Sequence, residues 1–167
     1  MGLGQSLLGV LALGLLGTVI LMMNTNTLDS GSSVETTEYI IMGTSLGISQ
    51  LERASGKAFD EKTVSSDVAS VTSLTAALGK ESGETEATFD DFDDYNGFTK
   101  QVNGDTVNFR SADFLIRDSV DYVSISGNAV AKSASRTYHK RLRVWVSSAF
   151  MRDTLQFSTV YSYWFFR

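Results

Sequence analysis

The stretch FDDFDDYNGF, residues 89–98, sets Asp90, Asp91, Asp93 and Asp94 close to Asn96. Oxygen-bearing side chains at this spacing suit two chemistries, a bound calcium ion or a pair of carboxylates that exchange a proton. The EF-hand pattern is incomplete, because no glutamate closes the loop and Gly97 falls late, so calcium on Asp90, Asp91, Asp93, Asp94 and Asn96 is the less favoured reading. A catalytic pair lacks partner chemistry nearby. Phe89, Phe92, Tyr95 and Phe98 recur at every third residue instead. They suit a hinge between linker and sheet, anchored in a core, with the aspartates capping backbone amides and Asn96-Gly97 turning the chain.

Little else in the chain offers catalysis or cofactor binding. The lone histidine, His139, sits among basic residues at the start of a strand-like run, where a surface role is the simpler reading. Absence of cysteine removes thiol nucleophiles, disulfides and cysteine-ligated metals. A net charge of −5 leaves no basic field for nucleic acid. The expectation is a non-enzyme with no cofactor.

The elements that would position the aspartate stretch are unevenly built. Residues 7–23, LLGVLALGLLGTVILMM, are uncharged, with Thr18 the one polar side chain, and at about 1.5 Å per residue they reach most of the way across a bilayer. A cleaved signal peptide, a single-pass anchor and a helix that later enters a protein filament are three readings of this segment. The first basic residue is Arg53, which disfavours the first two. Gly9, Gly14 and Gly17 suit close helix approach.

Asn, Ser and Gly at residues 24–33 predict a joint, with Asn24, Asn26 and Gly31 as hinge positions. A second helix over 34–58 follows, capped by Ser33 and stopped near Gly56. It is apolar on two sides, with Val34, Ile41, Ile48 and Leu51 on one and Tyr39, Met42 and Leu46 on the other. Two covered sides imply burial between its own head domain and something else. Residues 59–88 read as an exposed linker with a short helix near 68–78. Within residues 89–167, alternation over 114–126, 140–148 and 154–166 predicts an antiparallel meander of three or four strands. The aromatic last strand reads as an edge or a subunit interface. The fold class expected is α+β, a long apolar stem helix with a break, packed on a small antiparallel sheet.

This plan resembles the type IV pilin superfamily. TSLGISQLERASGKAFDE, residues 44–61, is similar to the stem helix of minor pilins and pseudopilins, and FDDFDDYNGF resembles a segment of minor pilins of the mannose-sensitive haemagglutinin type. The resemblance implies a structural subunit held in the inner membrane by its stem, then drawn into an open helical homopolymer at the cell surface. Gln5, Leu7, Leu8, Leu11, Leu15, Val19 and Ile20 would form the filament core. A prepilin peptidase and assembly machinery are implied partners. Pilins carry glutamate at the fifth mature position after a short basic leader. Here no leader is visible and position five is Gln5, which would hydrogen-bond a neighbour's amine if Met1 is the mature start. A cut after Gly4 is the other option. The alternative function is a membrane-anchored extracytoplasmic binding module, a filament-tip minor pilin or a secretion pseudopilin.

Overall fold

In a computed structural model of the chain, residues 2–104 and 112–163 are described, apart from the side chains of residues 5, 6 and 26–35. Helix α1 spans Leu3–Ser55 and the short α2 spans Glu61–Val64. Strands β1 (Thr99–Val102), β2 (Phe114–Ser126), β3 (Ala129–Lys132), β4 (His139–Ser148) and β5 (Leu155–Ser162) follow. The fold class is α+β, as expected. Two compact units divide the chain, Met1–Glu38 and Tyr39–Arg167.

The first unit is helical and carries the segment Leu7–Thr25, 19 residues long and apolar enough to cross a membrane. None of that segment is buried within the chain. The joint expected at residues 24–33 is helical backbone, so α1 is not broken there and Ser33 lies within the helix rather than at its start. Serine, threonine and asparagine each cost about 0.7 kcal/mol or less relative to alanine in a helix, and glycine about 1. No proline removes an amide. Thr25 also satisfies its hydroxyl inside the helix, donating to the Met22 carbonyl at 3.0 Å. Asn24 is thus a helical residue, while the side chain of Asn26 and the surroundings of Gly31 lie outside the described residues.

In the second unit a five-stranded antiparallel sheet runs β1-β2-β4-β5, with β3 paired to the far end of β2. Alternation, regular in β4 and interrupted by four consecutive buried residues at 120–123 in β2, makes one face largely apolar. Phe114, Ile116, Val120 and Tyr122 of β2 and Leu142, Val144 and Val146 of β4 are all buried. The sequence missed β1 and β3 because each is only four residues long. β3 follows β2 through the two-residue turn Gly127-Asn128, where Gly127 has a φ of +57°.

The end of α1 covers the apolar face. Gly43, Gly47, Gln50 and Ala54 form its buried stripe, at helical spacing. A Cβ on Gly43 would lie 3.1 Å from Leu155, and one on Gly47 would collide with the ring of Phe157. The Gly-x-x-x-Gly pair therefore serves contact with the head's own sheet. Ile40, Ile41 and Ile48 stay exposed on the same helix. Helix α1 ends where expected, with the Gly56 amide donating to Glu52 at 3.1 Å.

Two expectations change in detail. The linker forms no helix over 68–78, only a 3₁₀ turn at Val71–Ser73, and it is not simply exposed. Val68 and Leu74 are buried with Phe59 and Tyr122 in a small core of their own. Strand β5 is an edge strand, yet Phe157 and Tyr161 join the main core. Trp164, Phe165 and Phe166 lie outside the described residues.

Gly47→Val tests the helix–sheet contact. Overpacking of this kind costs about 1–3 kcal/mol, so the urea midpoint followed by tryptophan fluorescence should fall, whereas Gly9→Val, with open space around it, should leave it unchanged.

Candidate functional site

The hook at residues 89–98 is held by its rings. Phe89, Phe92 and Tyr95 are buried and Phe98 is half-buried. Phe89 meets Tyr95 and Phe98 edge-on at 5.3 and 5.5 Å between centroids, and Phe92 lies 5.0 Å from Tyr161. Once the rings are fixed, Asp91, Asp93 and Asp94 between them also go inside, while Asp90 stays exposed.

Two of them close the backbone on itself. Asp91 Oδ1 accepts from the amides of Asp93 and Asp94 at 2.7 and 3.0 Å, and Asp94 Oδ2 accepts from those of Asp90 and Asp91 at 3.0 and 3.2 Å. Asn96 ties the turn outward, accepting from the Val120 amide at 3.0 Å and donating to the Leu78 carbonyl at 2.9 Å. Gly97 takes a φ of +77°, a conformation glycine adopts without strain. The expected capping roles and turn are present.

Asp93 does something else. Its Oδ1 accepts from Nζ of Lys140, which is fully buried and also donates to Asp60 Oδ2 and the Phe59 carbonyl, both at 2.8 Å. The rings of Phe59 and Tyr122 flank that nitrogen at 4.6 and 5.3 Å. Asp60 is surrounded by donors: the Lys62 amide, the Thr75 amide and hydroxyl, and the Tyr122 hydroxyl at 3.1 Å. Sequence reasoning missed Lys140 and Asp60. The signal was present for Lys140, since stepping back by two from Leu142 puts it on the inward face of β4.

Burial dominates the electrostatics. It raises Asp60, but the charge and hydrogen bond of Lys140, with those of Thr75, outweigh it and hold that carboxyl below its ordinary value. It also raises Asp93, and there the same lysine does not fully compensate. Burial, then the neighbouring charges of Asp93 and Asp94, push Asp91 up to about 8. Asp118, buried under α1 and bound by Gln50 Nε2 at 2.6 Å, is raised by burial to about 7. Such carboxyls hold protons near neutral pH.

The five residues considered for calcium do not converge on one point. Asp91 and Asp94 each spend an oxygen on two amides, Asp93 takes the lysine, and Asn96 bonds the backbone. Asp94 is instead brought beside Glu81 and Glu84, with one carboxylate oxygen from each within 4.8 Å of the others. Glu84 Oε2 accepts from the Glu81 amide at 2.9 Å, and burial followed by the hydrogen bond to Glu84 raises Glu81 to about 7. This trio is the arrangement among the described residues that could hold a cation, and only Asp94 belonged to the expected set. His139 pairs its Nδ1 with the Ser162 hydroxyl at 2.7 Å.

No family model, curated protein or solved structure matches the chain. Its likeness to pilins therefore rests on architecture: an N-terminal apolar helix, and an antiparallel sheet covered by helix. That architecture is compatible with a pilin-like fold. Of the expected filament-core residues, Leu7, Leu8, Leu11, Leu15, Val19 and Ile20 are exposed. The side chain of Gln5 lies outside the described residues.

Two outcomes follow. Lys140→Met leaves Asp60 and Asp93 facing each other without a cation, and loss of one partner from a buried ionic group costs about 3–5 kcal/mol, readable as a large drop in the unfolding midpoint. The pH dependence has a definite sign. Asp91, Asp118 and Glu81 keep protons in the folded chain that they lose when unfolded, so each stabilises the fold below about pH 4. That contribution fades as pH rises towards 7 to 8. Thermal unfolding should thus show lower stability at pH 8 than at pH 5, with a slope of up to about 1.4 kcal/mol per pH unit per group, and Asp91→Asn should flatten it.

Proposed function

We propose that this chain is a structural subunit of a type IV pilus-like extracellular filament, assembled by packing of its apolar N-terminal stem against stems of other copies. The supporting observation is the helix segment Leu7–Thr25, which is apolar and has none of its residues buried by its own chain. An apolar face this complete is stable only in lipid or among similar helices. Lipid would hold the stem before assembly, and neighbouring stems would replace it afterwards at little cost, since packed helices and acyl chains are comparably apolar.

Two further features support the reading. Head-domain helix residues Ile40, Ile41 and Ile48 remain exposed, as an element covered on a second side by neighbours requires. The buried ionic clasp ties the segment just after α1 and the hook at residues 89–98 to β4. A head tied in this way suits the load-bearing, non-catalytic role of a filament subunit in this proposal. Assembly would be head-to-tail and open-ended. Prepilin peptidase and assembly machinery belong to this proposal as partners.

Immunogold electron microscopy of the native cells tests it. Labelled fibres are expected at the surface, and Leu11→Asp with Leu15→Asp should abolish them, since each acidic residue costs about 2.5–3.5 kcal/mol at the centre of an apolar helix. Cells in which the wild-type protein stays in the membrane fraction, with no labelled fibre, would overturn the proposal in favour of an anchored binding module.

A further inference from the structure

Lys140 sits in surroundings that favour covalent chemistry. Its nitrogen is fully buried between two carboxyls, walled by the Phe59 and Tyr122 rings. The two carboxyls are not equivalent. Asp60 has donors on both oxygens, from Lys62, Thr75, Tyr122 and Lys140 itself, which stabilise it as an anion. A buried anion with hydrogen-bond donors on both oxygens is a poor electrophile and a competent proton acceptor. Asp93 accepts from Lys140 on Oδ1, while its Oδ2 is buried with no hydrogen-bond donor. The neighbouring Asp91 accepts from the Asp93 amide on Oδ1 at 2.7 Å, and its own Oδ2 is likewise buried without a hydrogen-bond partner. A proton on Asp91 therefore fits between these two orphaned oxygens.

We propose that Lys140 and Asp93 condense to an intramolecular isopeptide bond, joining Nζ to Cγ and tying β4 to the hook at residues 89–98. Within the dry site the ammonium first passes a proton to the Asp93 carboxylate, giving a neutral amine and a neutral acid. This exchange removes two buried charges whose desolvation is costly. The nitrogen lone pair then faces the carboxyl carbon, held there without loss of further freedom. The Nζ–Cγ bond forms, Asp60 takes a proton from nitrogen, and Asp91 donates one to the departing oxygen. The Cγ–O bond breaks and water leaves. Return of the proton from Asp60 to Asp91 through the site restores both. The balance is one ammonium and one carboxylate giving one amide and one water, with no oxidant, cofactor or external nucleophile. The inference concerns the head alone and does not rest on the filament reading.

The full chain, purified in detergent, denatured and digested with trypsin, gives a direct test by fragmentation mass spectrometry. The expected product is a branched species in which the peptide containing Asp93 is joined to the one containing Lys140, lighter than their sum by one water, with no cleavage after Lys140. Intact protein should show the same loss of one water. A free peptide ending at Lys140 together with an unmodified Asp93 peptide would overturn the proposal, as would a link to Asp60. Asp91→Asn should slow formation by about 100-fold or more, the range for loss of a positioned acid, while far-ultraviolet circular dichroism confirms that it folds. Full linkage in that variant at the wild-type rate would overturn the role given to Asp91. Lys140→Arg, which keeps the charge but has no primary amine, should show no link.

Discussion

The buried ammonium of Lys140 is the constraint around which the head is arranged. A charge removed from water is tolerated only when every donor it carries is met and an opposite charge lies beside it. Here the three acceptors come from different places: the Phe59 carbonyl and Asp60 just after α1, and Asp93 in the hook, all closing on the inward face of β4. None of these segments can shift without exposing or orphaning a charge. Asp60 extends the same restraint into the linker, where the Thr75 amide and hydroxyl hold it at 3.0 and 2.9 Å. A segment of mostly small polar residues is thus pinned by one carboxylate.

The rest of the core follows from that closure. Across the register, Lys140 stands opposite Tyr122 on β2 and Tyr161 on β5, so the ion lies at one end of the apolar face. Both tyrosines place their rings in the core and their hydroxyls on polar partners: Tyr122 on Thr75 and Asp60, Tyr161 on the Lys57 carbonyl at 3.1 Å. Towards the middle of the sheet the polar content narrows to one pair, Gln50 and Asp118, beneath α1. Beyond it the glycine stripe allows the helix to lie close upon β5. The head is therefore graded, ionic at one end and apolar at the other.

Much of this was legible in the residues. Strands β2 and β4 follow their alternation almost to the residue, because a half-buried strand writes its period into its hydrophobicity. The ring spacing of Phe89, Phe92, Tyr95 and Phe98 foretold anchoring of this stretch in the core, and all four rings belong to it. Other elements were obscured for identifiable reasons. Asn, Ser and Gly at residues 24–33 favour turns locally, but cooperative helix formation from both flanks outweighs a few tenths of a kcal/mol per residue. The five-residue calcium set was drawn from adjacency in sequence. Glu81 and Glu84, the carboxylates that meet Asp94, approach from a separate loop.

The sequence by itself determined the classes of element: an apolar stem, a two-sided helix, a hook pinned by rings and an alternating sheet, each a consequence of local periodicity and side-chain shape. Only the tertiary structure decided the chemistry. Whether an aspartate binds an amide, a lysine, another carboxyl or an ion depends on what lies across from it, and Asp60, Asp93 and Lys140 are separated by 33 and 47 positions along the chain. Burial then sets their charge, since it is the loss of water around them, a property of the folded whole, that moves a carboxyl towards neutrality.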